Sequence, residues 1–170
     1  MFFSVKELEL HKVPFQVEFP PGGIEFFDPK LKQARPLEVS GTAQLDPMEE
    51  IRVRGHLKGL LIAECDRCLE PIEFPLDGDF DLCYRPAESD WGEEPASLSE
   101  QENDAGFYDG NGLPLADVVR EQVLLWLPMQ RICREECKGI CPQCGQNRNE
   151  IECGCLVERI DERWAALKNI

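Results

Sequence analysis

From Glu50 to Glu64 the chain reads EIRVRGHLKGLLIAE, with Ile51, Val53, Leu57, Leu61 and Ala63 on one parity and Arg52, Arg54, His56 and Lys58 on the other. A period of two predicts a strand with one buried face. From Pro71 to Arg85 the alternation returns, with Ile72, Phe74, Leu76, Phe80, Leu82 and Tyr84 inward and Glu73, Asp77, Asp79 and Asp81 outward. The two runs predict an antiparallel hairpin over 50–85 that turns near Asp66 and Arg67. Both apolar faces share one core only if paired residue numbers sum to an odd value, and 135 fits best. That register sets Gly55 opposite Phe80, Leu57 opposite Gly78 and Gly59 opposite Leu76. On the wet face it sets Lys58 against Asp77, His56 against Asp79 and Arg54 against Asp81, each worth about 0.2 to 1 kcal/mol. The basic stripe is therefore expected to be neutralised by its neighbour rather than to hold phosphates.

Pro36 to Leu45 alternates through Leu37, Val39, Gly41, Ala43 and Leu45, predicting a third strand, and VPFQVEF at 13–19 predicts a fourth that PPGG ends. Between Ala87 and Gly112 lie eight acidic residues and no Lys or Arg. Apolar burial cannot offset the cost of ordering such a stretch, so it is expected to be a mobile acidic loop. The bland reading is a linker; the sharper one is bait for a basic partner, with Trp91, Phe107 and Tyr108 as anchors. PLADVVREQVLLWLP then predicts a helix whose Leu115, Val118, Val119, Val123 and Trp126 cover the sheet, with Pro114 in the first turn and Pro128 ending it.

The expected class is α+β: a small, mainly antiparallel β-sheet covered by one helix, with a C-terminal cysteine-rich zinc element. The segments are a β-rich region at 1–86, the acidic loop at 87–112, the covering helix at 113–130, the cysteine-rich element at 131–156 and a short closing helix at 157–170, capped by Asp161.

The 170 residues suit one medium domain or one with a small appendage. No apolar run resembles an export signal or a membrane span, so a cytoplasmic protein with no membrane partner is expected. The net charge of -15 argues against a broad surface for nucleic acid backbone.

Nine cysteines in a reducing compartment point to metal rather than disulfides. Cys133, Cys137, Cys141, Cys144, Cys153 and Cys155 follow the spacing C-x3-C-x3-C-x2-C-x8-C-x-C. The central CPQCG has the form of a zinc knuckle, with Gly145 letting the backbone curl toward the sulfurs. Cys141 and Cys144 with Cys153 and Cys155 are the first choice of ligand set, and Cys133 and Cys137 are the reserve. Zinc is expected to be structural, because four thiolates leave no open position for water; iron is the rival metal. Cys65 and Cys68, in CDRCLEP at the hairpin tip, form half of a possible second site, a redox pair or a small apolar pair. A strand setting lacks the helix dipole that redox pairs use. Cys83 has the outward parity of its strand and is not expected to be a ligand.

No nucleophile motif, Walker loop or dinucleotide fingerprint occurs, and no pair of carboxylates is placed for acid and base work. Neither an enzyme nor a small-molecule substrate is expected.

The strand pair, CDRCLEP, VVREQVLLWLPM, CREECKGICPQCGQNRNE with CGC, and the closing IDERWAALKNI together resemble the YceD family, the large ribosomal RNA subunit accumulation proteins. The likeness runs from about Leu37 to Lys168 and includes Cys65, Arg67, Cys68, Leu69 and Pro71 of the tip motif. It implies a non-catalytic factor supporting accumulation or processing of large-subunit ribosomal RNA. The expected partners are that RNA, a basic ribosomal protein, or both. Arg67, Arg131, Arg134, Lys138 and Arg148 are the candidate binding cations, although residues 131–170 carry seven basic and seven acidic side chains. The alternatives are a thiol redox enzyme using Cys65 and Cys68, or a zinc-folded interaction module unrelated to ribosomes.

Overall fold

The two longest alternating runs form the two longest strands. A computed structural model of the chain describes residues 1–87 and 105–155. The elements are β1 (Phe2–Ser4), α1 (Val5–Leu8), β2 (Val13–Phe19), β3 (Leu31–Gln33), β4 (Leu37–Leu45), β5 (Ile51–Glu64), β6 (Pro71–Pro86), β7 (Gly106–Tyr108), β8 (Gly112–Pro114) and α2 (Leu115–Trp126). The result is a mixed α/β chain with a mainly antiparallel sheet and few helices. Contacts divide it into two units: residues 1–63 with 73–129, and residues 64–72 with those from 130 onward.

In the first unit the sheet runs β2-β4-β5-β6-β7, with β3 also pairing with β5. β2, β4 and β5 pair antiparallel in sequence, Val39 standing beside Val17 on one side and Leu57 on the other. β6 and β7 pair in parallel. A separate two-stranded ribbon joins β1 to β8. The inward parity of the strands is buried: Leu37, Val39 and Ala43 of β4, Ile51, Val53, Leu57 and Leu61 of β5, and Leu76, Phe80 and Tyr84 of β6. α2 adds Leu115, Val118, Val119 and Val123 to this core. Each buried Val, Leu, Ile or Phe among them contributes about 1.5 to 3 kcal/mol by leaving water.

Gly55 does face Phe80, and Gly41 pairs directly with Gly55, so that a Cβ on either would strike the opposing backbone. The other two expected gaps are filled differently. Trp126 of α2 packs over Gly78, and Leu37 of β4 occupies the space beside Gly59. The wet face carries the expected partners: Arg54 to Asp81 at 2.9 Å, His56 to Asp79 at 2.8 Å and Lys58 to Asp77 at 3.6 Å, with Arg52 also on Asp81 at 2.7 Å. These pairs are exposed and screened by solvent, so their direct contribution to stability is small. Their larger effect is to neutralise the basic stripe.

Within the stretch expected as an acidic loop at 87–112, Phe107 and Tyr108 belong to β7 and Gly112 opens β8. Tyr108 is buried and its hydroxyl donates to the Glu49 carbonyl at 2.9 Å. Residues 88–104, with Trp91, and the closing helix expected at 157–170 lie outside the described residues. Among the described residues no helix is long and apolar enough to cross a membrane.

Candidate metal centres

The second unit is built on two cysteine turns with one backbone pattern. At the hairpin tip, Leu69 N–H donates to the Cys65 carbonyl at 2.9 Å, and Cys65 N–H donates to the Glu70 carbonyl at 2.8 Å. At Cys141–Pro142–Gln143–Cys144, Gly145 N–H donates to the Cys141 carbonyl at 2.8 Å, and Cys141 N–H donates to the Gln146 carbonyl at 2.8 Å. The residue after the second cysteine has positive φ in both turns, +73° at Gly145 and +65° at Leu69. Glycine adopts that conformation freely, whereas leucine is strained in it. CDRCLEP is therefore a knuckle of the same kind as CPQCG, with its glycine replaced.

Each knuckle meets a second pair of thiols. Cys65, Cys68, Cys133 and Cys137 form one tetrad, and Cys141, Cys144, Cys153 and Cys155 form another, with the sulfurs of each within 4.8 Å of one another. In the first, Cys65 Sγ lies 3.9 Å from Cys137 Sγ and Cys68 Sγ lies 3.7 Å from Cys133 Sγ. Cys133 and Cys137, the reserve ligands for the C-terminal set, instead face the hairpin tip. All nine thiols are free, and Cys83 stands apart, donating to Glu50 at 3.2 Å. Burial and that carboxylate push the Cys83 thiol up to about 11.

Reciprocal hydrogen bonds hold the first tetrad together. Arg131 N–H donates to the Asp66 carboxylate and Asp66 N–H donates to the Arg131 carbonyl, both at 2.7 Å. Ile140 N–H donates to the Arg67 carbonyl at 2.9 Å, and the preceding Gly139, at φ +70°, allows this approach. Asn149 was not singled out by sequence reasoning, yet it links the two centres. Its side-chain amide donates to Cys137 Sγ at 3.4 Å, and its carbonyl oxygen accepts from Lys138 N–H at 2.9 Å. The polar run NRNE gives only a generic turn signal for it, since Asn147 accepts from Asn149 N–H in an Asx turn.

The thiol acidities divide within each tetrad. Burial opposes ionisation of Cys65, but N–H donors from Cys68, Arg67 and Cys133 outweigh it and bring the thiol down to about 6. The Asn149 amide lowers Cys137. Burial pushes Cys68 up to about 12 and also raises Cys133. In the second tetrad, N–H donors from Cys144 and Gln143 bring Cys141 down to about 6, while sharing with Cys144 pushes Cys155 up to about 12. Four sulfurs this close cannot all ionise against their mutual repulsion; a bound cation removes that conflict. Either tetrad can therefore hold a metal ion.

The expected binding cations are partly engaged. Arg67 donates to the carbonyls of Glu135 and Cys137 at 3.3 Å, and Lys138 reaches Glu152 at 3.5 Å. Arg134 and Arg148 are exposed, and Arg131 is half-buried.

The family profile described as Large ribosomal RNA subunit accumulation protein YceD matches residues 53–170, a span that includes both tetrads. An uncharacterized protein of Mycobacterium tuberculosis is 30% identical over 119 residues, 70% of this chain and 55% of its own length. The Bacillus subtilis protein YlbN is 22% identical over 141 residues, 82% of this chain and 77% of its own. The chloroplastic large ribosomal RNA subunit accumulation protein YCED homolog 1 of Arabidopsis thaliana is 36% identical over 52 residues, 31% of this chain and 16% of its own. The chain spans about half the length of the mycobacterial relatives it matches. No solved structure matches.

Proposed function

The chain belongs to the YceD family of large ribosomal RNA subunit accumulation proteins, and from that premise we propose that it supports accumulation of large-subunit ribosomal RNA without catalysis, by binding a basic ribosomal protein. The family match supports the process. The net charge of -15 supports a protein partner over naked RNA, since ribosomal proteins are basic and phosphates would be repelled. Of the five candidate cations, Arg67 is held by backbone carbonyls and Lys138 reaches Glu152, so two are already engaged within the chain.

Both tetrads take zinc in this reading. Zinc–thiolate bonds of about 2.3 Å in a tetrahedron place sulfurs about 3.8 Å apart, and the 3.7 and 3.9 Å separations in the first tetrad match that spacing. When bound, the ion neutralises thiolate charge and fixes the two turns. A closed set of four thiolates has a structural role, with the second unit folded around it. Against a redox enzyme stands the burial of Cys65 and Cys68 beside Cys137 and Cys133, which denies a substrate disulfide access to the pair.

Cross-linking in cells, followed by identification of the attached protein and RNA, tests the reading. Ribosomal protein peptides are the expected adducts, and depletion of the chain should lower large-subunit relative to small-subunit ribosomal RNA. Cross-links to RNA alone, with an RNA affinity that falls steeply with salt, would overturn the choice of partner.

A further inference from the structure

A cavity of 680 Å³ opens in the first unit where β1, β7 and α2 converge. Four large apolar side chains from these three elements line it while remaining exposed: Phe2 at 50%, Phe107 at 56%, Leu124 at 43% and Leu125 at 64%. Exposed apolar residues scattered singly are ordinary, but four converging on one concave surface mark a binding site. The polar lining is acidic. Asp109, Asp117 and Glu121 stand against one cation, Arg120, which is already held by Asp117 at 2.6 Å and lies 5.0 Å over the Phe27 ring. Glu121 accepts from the Tyr84 hydroxyl at 2.7 Å, which fixes its carboxylate at the cavity wall.

We propose that this cavity is the docking surface for a Lys- and Arg-rich segment of a protein partner, which places an aliphatic or aromatic side chain between Phe107 and Leu125 and its cations against Asp109 and Glu121. The proposal rests on the protein-partner reading above and names the surface that serves it. Charge complementarity selects the occupant. Nucleic acid could stack a base on Phe2 or Phe107, but its phosphates would meet carboxylates. A second copy of this chain would bring its own net charge of -15 against the same acidic rim. Anionic lipid headgroups are repelled in the same way. A basic segment gains from both parts of the surface, because an apolar floor with a charged rim is the usual layout of a specific interface.

The test uses the full chain with a benzophenone amino acid in place of Leu125 and, separately, in place of Arg148 in the cysteine-rich unit. Each is irradiated with the mixture of large-subunit ribosomal proteins freed of RNA, and then with ribosomal RNA alone. The expected result is an adduct from position 125 whose peptide is rich in Lys and Arg, with a yield at least tenfold lower when Asp109→Lys and Leu124→Ser are added. Both added sites are at the surface, and an unchanged melting temperature of that variant excludes unfolding as the cause. Ribosomal protein adducts from position 148 alone would overturn the groove assignment and leave the protein-partner reading standing. Adducts with RNA alone from both positions would overturn both.

Discussion

Gly139 and Gly145 have nearly the same backbone conformation, φ +70° and +73°, but opposite surroundings, so alanine at each separates strain from collision. At Gly145 nothing lies within 4 Å of an added Cβ, and the cost is that of the left-handed conformation alone, about 1 kcal/mol. At Gly139 the Cβ would sit 2.9 Å from the Arg67 carbonyl oxygen and 3.4 Å from its carbon. The obstacle is backbone at the hairpin tip, which is fixed on both sides by Cys65 and Cys68, so it cannot swing aside as a side chain would. Overpacking of this kind adds about 1 to 3 kcal/mol. The total for Gly139→Ala is then about 2 to 4 kcal/mol, against about 1 for Gly145→Ala. Because metal binding and folding of such units are linked, these costs read out as zinc affinity. Titration against a chromophoric chelator should show Gly145→Ala weakening one zinc equivalent about fivefold and Gly139→Ala weakening zinc binding at least about thirtyfold, at about 1.4 kcal/mol per decade. Equal losses in the two variants, or none at Gly139, would refute the claim that the approach to Arg67 holds the first tetrad together.

The wild-type chain should bind two zinc equivalents, and Cys65→Ser with Cys68→Ser should leave one; an unchanged count by elemental analysis would remove the hairpin tip from any metal centre. Asn149→Ala should weaken the first tetrad about tenfold although residue 149 lies in the loop of the second, because it removes the donor to Cys137 Sγ. Loss confined to the second tetrad, followed by cobalt substitution in the wild type and in variants lacking one tetrad, would contradict that link. Asp79 and Asp77 raise His56 above its ordinary value of 6.5. The stabilisation is thus fully present below 6.5 and is lost as pH rises through the higher folded-state value. Thermal melts between pH 6 and 8 should show the wild type losing its advantage over His56→Gln as pH rises, whereas parallel curves would rule out the contribution.

The hairpin was legible because two signals agreed. Alternation placed the apolar faces together, and the complementary charges of Arg54, His56 and Lys58 against Asp81, Asp79 and Asp77 picked one register. CPQCG was legible because Gly145 supplies a conformation that the knuckle requires. CDRCLEP is ambiguous in the sequence for the converse reason: Leu69 adopts that conformation at a cost and leaves no mark there. What the two turns share in sequence is only the C-x2-C spacing, and their common bond from the first cysteine N–H to the carbonyl five positions on is visible only in the fold. Pairing of Cys65 and Cys68 with Cys133 and Cys137 could be raised only as a count, since ligand spacing says nothing about contacts that distant in the chain. The three-residue strands β1, β3, β7 and β8 are too short to show a period. Without β7, β8 and β1, the cavity they help to form is out of reach of the sequence pattern, although two of its aromatic residues, Phe107 and Tyr108, stand out as candidate anchors.

The order of the first tetrad along the chain has a consequence for its synthesis. Cys65 and Cys68 leave the ribosome about 65 residues before Cys133, which at about 5 to 20 residues per second is an interval of roughly 3 to 13 seconds. During that time the nascent hairpin tip displays two thiols without the pair that later encloses them. The second tetrad has no such delay, since its four cysteines emerge within fifteen residues. Oxidative stress during translation should therefore damage the older pair first, and a chain injured there would emerge with its C-terminal centre intact and its hairpin tip unattached.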